Sequence, residues 1–352
     1  ALLPACESST TTASPRPSAK APAMKATGAA AQRDALPVPT AVERSAMRER
    51  ALQLVDEYSR HPKDEVRLIA ADAAQLAPTR LQETLRRCLR DPSIPVRTTA
   101  LISVGKAGVQ DFAPEAASLT RDESPFVQCA AIYAAAKLHQ PGNPSPVDRS
   151  PLAYHLLNDP TTRVRAHAAF ILGELGDPSA LPLLRDAGKA KITRARPIEL
   201  TLMQLQIAEA MVKLGDDAPL EGLRAALYPS RAEDLEASAL AIQILGEVKD
   251  RGSIDNLKYL SAELVAGRYQ PAEIRLEIAR ALAKMDVREG GFLADQFAGS
   301  PEVPLRMQAA GVYGFTAQPS DFRVLEAMLD DPSDLVKASA ASALLRASTL
   351  NP

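Results

Sequence analysis

The amino-acid sequence predicts an all-α solenoid of about nine helical hairpins, preceded by a linker without regular structure. Three observations support this fold class: a proline-containing turn that recurs, an apolar residue four places after each of these prolines, and a composition rich in alanine. Aromatic residues make up only 4% of the chain and tryptophan is absent. Alanine suits closely packed helices, whereas a β-sandwich or barrel would need alternating β-branched and aromatic residues.

Residues 1–42 lack the apolar periodicity of a folded element. From Glu7 onward they are mainly Ser, Thr, Ala and Pro, and such a segment cannot bury enough apolar surface to offset its ordering entropy. We therefore expect a flexible linker there, followed by a repeat domain over residues 43–352.

The linker is preceded by Leu2-Leu3-Pro4-Ala5-Cys6, which resembles the end of a truncated bacterial lipoprotein signal, although Pro4 departs from the preferred small residue. The resemblance implies a lipid on Cys6 and a body anchored to the bacterial cell envelope, facing the periplasm; the membrane would be contacted only through that lipid. The alternative is a chance match, with a cytoplasmic protein. No apolar run is long enough to span a bilayer.

The repeat begins with a turn that ends one helix and starts the next. Proline ends the first helix, because it lacks an amide hydrogen and restricts the backbone conformation of the residue before it. The turn occurs four times, at His61-Pro62-Lys63-Asp64-Glu65-Val66-Arg67, Asp91-Pro92-Ser93-Ile94-Pro95-Val96-Arg97, Asp159-Pro160-Thr161-Thr162-Arg163-Val164-Arg165 and Asp331-Pro332-Ser333-Asp334-Leu335-Val336-Lys337.

The apolar residue after the turn serves as an anchor that sets the register of nine units. In each unit a first helix precedes the turn and a second helix contains the anchor. The anchors are Val66, Val96, Val127, Val164, Met203, Ala237, Ile274, Leu305 and Val336.

These turns, together with Leu-Gly-Glu-Leu-Gly-Asp at 172–177, resemble the HEAT family, especially its short bacterial, phycobilisome-lyase-type repeat. The resemblance covers residues from about 42 to the end. It implies a right-handed α-α superhelix whose second helices line the concave wall. It also implies a ladder that joins each turn aspartate to the basic residue six positions later, as in Asp91 with Arg97, Asp159 with Arg165 and Asp331 with Lys337. The alternative for these basic residues is a stripe that binds anions.

The tenth position after the anchor is mostly charged and is therefore predicted to face water. The sixth position lies about 40° away on the helical wheel. It is polar in four units but apolar in three successive ones, as Ile102, Tyr133 and Phe170. We expect these three to form an apolar binding strip on the concave surface, flanked by Lys106, Lys137 and His167. The alternative is that superhelical twist or the loop at 141–151 buries the strip.

A second candidate for binding is a basic loop that could contact a phosphate surface or an acidic partner. The alternative is an ordinary solvated loop. Its basic residues are Lys189, Lys191, Arg194 and Arg196.

Catalytic motifs are not apparent. HEAT-like iron hydroxylases carry His-Glu pairs, but none of His61, His139, His155 and His167 is followed by Glu. HEAT-like glycosylases use tryptophan and a basic wall, whereas this chain has 41 basic and 43 acidic residues, a balance that also argues against nucleic acid as a partner. Cys88 and Cys129 fall within helical patterns and are predicted to be buried thiols without metal-ligand spacing. We expect no enzyme, no cofactor and no metal site.

The sequence thus predicts a non-catalytic scaffold that binds a protein or peptide on its concave surface. The alternative is an accessory factor that resembles bilin-lyase-type HEAT proteins and presents a substrate to an enzyme.

Overall fold

The computed structural model describes residues 36–139, 147–190, 192, 195–228, 234–262 and 270–351. Within these residues it contains eighteen α-helices and no strand, which confirms the predicted all-α solenoid. None of these helices has the combination of length and apolar composition that crossing a membrane requires.

The helices alternate between a first and a second member of nine pairs. The first helices are α1 (Ala41–Tyr58), α3 (Gln82–Leu89), α5 (Ala113–Leu119), α7 (Ser150–Asn158), α9 (Leu181–Gly188), α11 (Leu220–Ala225), α13 (Ile254–Ala262), α15 (Gly291–Asp295) and α17 (Pro319–Met328). The second helices are α2 (Asp64–Ala73), α4 (Ile94–Ala107), α6 (Pro125–Lys137), α8 (Thr162–Leu175), α10 (Pro197–Lys213), α12 (Leu235–Glu247), α14 (Ala272–Lys284), α16 (Val303–Thr316) and α18 (Asp334–Leu350). All nine anchors lie in second helices and are buried.

The turn aspartates fix the starts of the second helices. The carboxylate of Asp91 accepts the amide hydrogen of Ser93 at 2.8 Å, and Asp331 accepts that of Ser333 at the same distance. This Asx turn satisfies an amide group that the first helical turn leaves without a carbonyl partner.

Adjacent second helices approach closely where glycine faces alanine. A Cβ atom on Gly173, Gly246 or Gly314 would lie 2.8, 2.8 or 2.9 Å from the Cα of an alanine on the next second helix. All three glycines occupy the ninth position after the anchor. The alanines that they face are Ala210, Ala281 and Ala343.

The predicted ladder exists, but its carboxylates come from the next unit. Arg67 donates to both carboxylate oxygens of Asp91 at 2.7 and 2.9 Å, and Nη1 of Arg67 donates to the His61 carbonyl at 2.8 Å. Arg306 repeats this arrangement with Asp331 at 2.8 and 2.9 Å.

The within-unit side-chain pairs predicted for the ladder are therefore wrong. Of the two acceptors on Asp91, Arg97 bonds only the backbone carbonyl, at 2.9 Å. The Asp91 carboxylate instead accepts hydrogen bonds from Ser93 in its own Asx turn and from Arg67 of the preceding unit. Arg165 likewise donates to the Asp159 carbonyl at 2.6 Å, and Lys337 bonds Asp334 rather than Asp331. The ladder links units to one another, so these basic residues are structural.

The two ends of the solenoid meet. The last helix, α18, packs against both helices of the first unit, as other second helices pack against the unit that follows them. Polar contacts cross this seam: Arg50 donates to Asp330 at 3.2 Å, Nε2 of His61 lies 3.3 Å from an Asp334 oxygen, and Arg323 pairs with Glu43. The nine second helices consequently form the inner wall of a closed ring.

Candidate functional site

A central cavity of about 290 Å³ lies inside the ring and is lined by residues of eight second helices. Its wall consists largely of the sixth and tenth positions of the units. Closure of the ring turns the predicted concave face into the wall of an enclosed space. Its charged and polar residues are Asp72, Thr99, Lys106, Gln206, Glu209, Gln243, Glu247, Arg280, Lys284, Gln308, Ser339, Ser342 and Arg346.

Charges at the tenth positions pair between second helices of neighbouring units, and in one case between units two and four. Glu174 lies 3.6 Å from Lys106 and 2.5 Å from Lys213. Lys213 also contacts Glu209 at 2.6 Å, on its own helix. In the following units Lys284 bonds Glu247 at 2.6 Å. The tenth positions were predicted to face water, but five of them, Lys106, Glu174, Lys213, Glu247 and Lys284, pair with one another instead.

These pairs keep their charges near neutral pH. Burial opposes the charge on Lys213, but attraction to Glu209 and Glu174 raises its pKa above the usual value. Burial likewise opposes ionisation of Glu247, yet attraction and a hydrogen bond from Lys284 lower its pKa to about 2. The cavity wall is therefore permanently charged.

A different arrangement occurs around Phe315, which holds the tenth position of the eighth unit. Nζ of Lys284 lies 5.2 Å from the centre of its ring, and the Arg346 guanidinium lies 4.7 Å from it. Arg346 comes no nearer than 3.9 Å to the carboxylate of Asp72. Burial lowers the pKa of Arg346, and this attraction does not restore it.

Two amide oxygens in the cavity wall lack a hydrogen bond within the described part of the chain: Oε1 of Gln206 and Oε1 of Gln308. Gln206 is only 2% exposed, and its Nε2 donates to Glu209. A buried acceptor without a partner costs about 1–3 kcal/mol. Both oxygens are themselves buried, so the cavity wall contains two polar atoms whose hydrogen-bonding capacity the described part of the chain leaves unused.

The predicted apolar strip is not an open docking surface. Ile102 is 7% exposed, Tyr133 2% and Phe170 5%. Gly105 explains the burial of Tyr133, because a Cβ atom at Gly105 would lie 2.5 Å from the tyrosine ring. The tyrosine fills the notch that the glycine leaves on the preceding second helix. Only Phe170 lines the cavity, and the Lys213 ammonium lies 5.2 Å from its ring centre.

The residues predicted to flank the strip are separated in the structure. Lys106 lines the cavity, whereas Lys137 is exposed, with Nζ 5.7 Å from the Tyr133 ring centre. His167 is buried, and its Nε2 lies 3.1 Å from the Phe126 carbonyl oxygen. It is therefore a core residue and not part of an exposed rim.

Acid should destabilise the fold through His167. Burial lowers the pKa of His167 to about 4, with a smaller contribution from nearby His155, whereas an unfolded histidine titrates near 6.5. The unfolded chain thus binds a proton that the folded chain excludes, so stability falls as the pH drops from about 6.5 to about 4, by roughly 3 kcal/mol at most. Urea unfolding at several pH values should show a shallower loss for His167→Gln than for the native chain. Equal pH slopes would contradict this expectation.

The basic loop is only partly described. Lys189 is exposed and lies 3.8 Å from Asp186, while Arg196 donates through Nε to Glu199 at 2.9 Å. Lys191 and Arg194 lie outside the described residues, as do Cys6 and most of the predicted linker.

The two described cysteines, Cys88 and Cys129, are buried, and burial raises the pKa of each thiol to about 12. The described residues contain no group of three or more His, Cys, Asp or Glu side chains arranged to hold a metal ion.

A second, more open depression of about 480 Å³ lies at the turns before α4 and α6. It is lined in part by Ile94, Arg97, Glu123 and Phe126. Its Asp122 and Arg97 pair with each other in the structural ladder, so the central cavity is the stronger candidate site.

No family model matches this chain, and no curated protein matches its sequence. Among solved structures, an engineered protein is 20% identical with a TM-score of 0.35, covering 57% of this chain and 97% of that chain. Human deoxyhypusine hydroxylase in complex with glycerol is 17% identical with a TM-score of 0.35, covering 88% of this chain and 98% of that chain.

The second of these similar structures corrects the prediction that the chain is not an enzyme. That similar structure, human deoxyhypusine hydroxylase, is named as an enzyme, and the prediction is therefore wrong as an exclusion.

Proposed function

We propose that this chain binds an extended peptide segment in its central cavity. The observation that carries the proposal concerns two residues of the cavity wall, Gln206 and Gln308, whose buried amide oxygens have no hydrogen bond in the described part of the chain. A peptide main chain offers amide hydrogens at short, regular intervals, which are the donors that such acceptors lack.

The dimensions of the ring favour an extended segment over a folded domain. Neighbouring helix axes lie about 8–10 Å apart, so nine of them enclose a circle of about 13 Å radius, and helix radii of about 5–6 Å leave an opening of about 7–8 Å radius. Inward-pointing lysine, arginine and phenylalanine side chains narrow this opening to the cavity of about 290 Å³. Such a space holds one extended chain with a few side chains.

The lining supports the same ligand class. Hydroxyl and amide groups from Thr99, Gln243, Ser339 and Ser342 also line the cavity. These uncharged groups can hydrogen-bond to main-chain carbonyls and amides without the desolvation cost of a buried charge. The apolar surface of Phe170 would pack against side chains of the bound segment.

A bulky side chain placed in the cavity should abolish binding without harming the fold. Gly311 lines the cavity, and a Cβ atom added there would meet only the Arg280 side chain, at 3.8 Å. We expect Gly311→Phe to lose binding to peptides selected from a random display library by at least about tenfold, because the new ring occupies their space. Binding is measured by isothermal titration calorimetry.

The matched control is Gly222→Phe, on α11, which is the first helix of the sixth unit. Gly222 is exposed, and an added Cβ atom would have open space around it. Peptide affinity unchanged in both variants would place the binding site outside the cavity and refute the proposal.

A further inference from the structure

The charges at the tenth positions alternate in sign along four successive units, and the alternation stops at the eighth unit. Glu174, Lys213, Glu247 and Lys284 hold this position in units four to seven. The eighth unit would continue the alternation with a carboxylate but has Phe315, and the ninth unit has Arg346. Lys284 and Arg346 are therefore separated around the ring by an uncharged residue where the alternation would place an anion.

The geometry around Phe315 follows from this interruption. Lys284 and Arg346 lie 5.2 and 4.7 Å from the centre of the phenylalanine ring. The ring face attracts cations through its quadrupole, but it carries no net charge and accepts no strong hydrogen bond. Within the described part of the chain, no acceptor lies within hydrogen-bond distance of the Arg346 guanidinium, and its nearest carboxylate is Asp72 at 3.9 Å.

We propose that the gap beside Phe315 binds a carboxylate of the ligand, held by Arg346 and Lys284. This inference rests on the proposed function and deepens it by naming the chemical group that is recognised. On a peptide, that group is either an acidic side chain or the free C-terminus. The guanidinium can donate two parallel hydrogen bonds to the two carboxylate oxygens, and the ammonium adds a third donor.

The electrostatics of the surrounding groups agree with this assignment. Burial lowers the pKa of Arg346 and of Lys284, even though Lys284 bonds Glu247, so the charges on both residues are incompletely compensated. Glu247 has its pKa lowered to about 2, against the effect of burial, chiefly by attraction to Lys284. An additional negative charge beside these two cations, which share the Phe315 ring, would therefore be stabilised.

The balance of nearby charges favours a single negative charge over a doubly charged phosphate. Arg280 is already paired with Glu277 at 2.6 Å, and Lys284 with Glu247 at 2.6 Å. Only Arg346 lacks a close anionic partner, and Asp72 stands near it. A carboxylate supplies the one charge that the alternation omits.

The first experiment compares acetate with chloride at equal ionic strength, with the melting temperature of the protein as readout. We expect acetate to stabilise the native chain more than chloride does. Phe315→Glu should lose this selective effect, because its own carboxylate fills the gap, whereas the neutral control Phe315→Gln should keep it. Arg346→Gln should lose it as well, and it serves as the second test if Phe315→Glu folds poorly. An equal response of the native chain and Phe315→Glu, or no preference for acetate, would overturn the proposal.

A peptide experiment separates this inference from the proposed function. Three alanine pentapeptides are compared by calorimetry: one blocked at both ends with a central glutamate, its glutamine twin, and one without glutamate but with a free C-terminal carboxylate. We expect the glutamine twin to bind at least about tenfold more weakly than one of the two acids, since hydrogen bonds to a charged group contribute about 1.5–3 kcal/mol. The tighter of the two acids identifies the source of the carboxylate.

The outcomes of the two experiments are distinguishable. Equal binding of all three peptides would overturn the carboxylate site and leave peptide binding in place. Selective stabilisation by acetate without binding of any peptide would support the carboxylate site and refute the proposed function.

Discussion

Replacing Gly314 with leucine is expected to lower the free energy of unfolding by about 3 kcal/mol or more. A Cβ atom at this position would lie 2.9 Å from both Cα and Cβ of Ala343 and 3.1 Å from its carbonyl oxygen. Overpacking a core usually costs about 1–3 kcal/mol, because side chains must move. Here the obstacle is the backbone of the neighbouring second helix, which cannot move away without separating α16 from α18.

The control lies one helical turn earlier on the same helix. Gly311→Leu adds the same side chain where the nearest atom is Arg280 Cδ at 3.8 Å, and it removes a helix glycine that costs up to about 1 kcal/mol relative to a good helix former. Urea unfolding should show a large loss for Gly314→Leu and none for Gly311→Leu. Similar losses in both variants would show that backbone contact between second helices does not limit the packing.

The register of the nine units was predictable from the sequence because its determinants are local. In four units a proline turn and an apolar anchor four residues later specify where the second helix begins, and the spacing of the anchors extends this register to the other units. All nine predicted anchors are buried, from Val66 at 0% to Ile274 at 7% exposure. The existence of the ladder was predictable, but its pairing was not. The partner of Arg67 depends on where the next unit lies relative to the first, and the spacing of residues within one unit does not contain that information.

The closure of the ring could not be predicted, because it depends on the sum of small rotations between units. No short segment encodes that sum, and the contacts at the seam join residues nearly the whole chain apart, such as Glu43 and Arg323. Closure also changes the environment of the side chains at the tenth positions. A charged side chain there faces water in an open superhelix but faces other charges in a ring.

The sequence does contain a signal for the burial of the apolar strip. Tyr133 packs on Gly105, the ninth residue after the preceding anchor, and a Cβ atom on this glycine would also lie 3.2 Å from the Ala134 Cα. When one unit has a glycine at this position and the next unit has a large residue that packs on it, the two second helices interlock and the large residue is buried. Phe315 is a comparable signal, since it interrupts a charge alternation that is visible once the anchors are aligned.

Disrupting the seam should open the ring while the rest of the solenoid persists. Helix α1 packs mainly against α18, and its buried side chains recur at steps of three and four residues, as in Ala51, Val55 and Tyr58. Val55 is 1% exposed, so Val55→Asp buries a carboxylate without a partner and is expected to cost about 4 kcal/mol or more. Each unit is stabilised chiefly by its immediate neighbours, so the other interfaces should survive the loss of this one.

Small-angle scattering distinguishes opening from general unfolding. For Val55→Asp we expect a larger radius of gyration with nearly native helical circular dichroism, and a loss of peptide binding because the cavity no longer exists. Val42→Asp on the same helix is the control, since Val42 is 80% exposed and should tolerate the charge without effect. An unchanged radius of gyration in Val55→Asp would mean that the contacts of α1 do not hold the ends together. In that case other contacts would have to keep the ring closed. The burial of the charged wall, including the burial that lowers the pKa of Arg346, would then depend on those contacts.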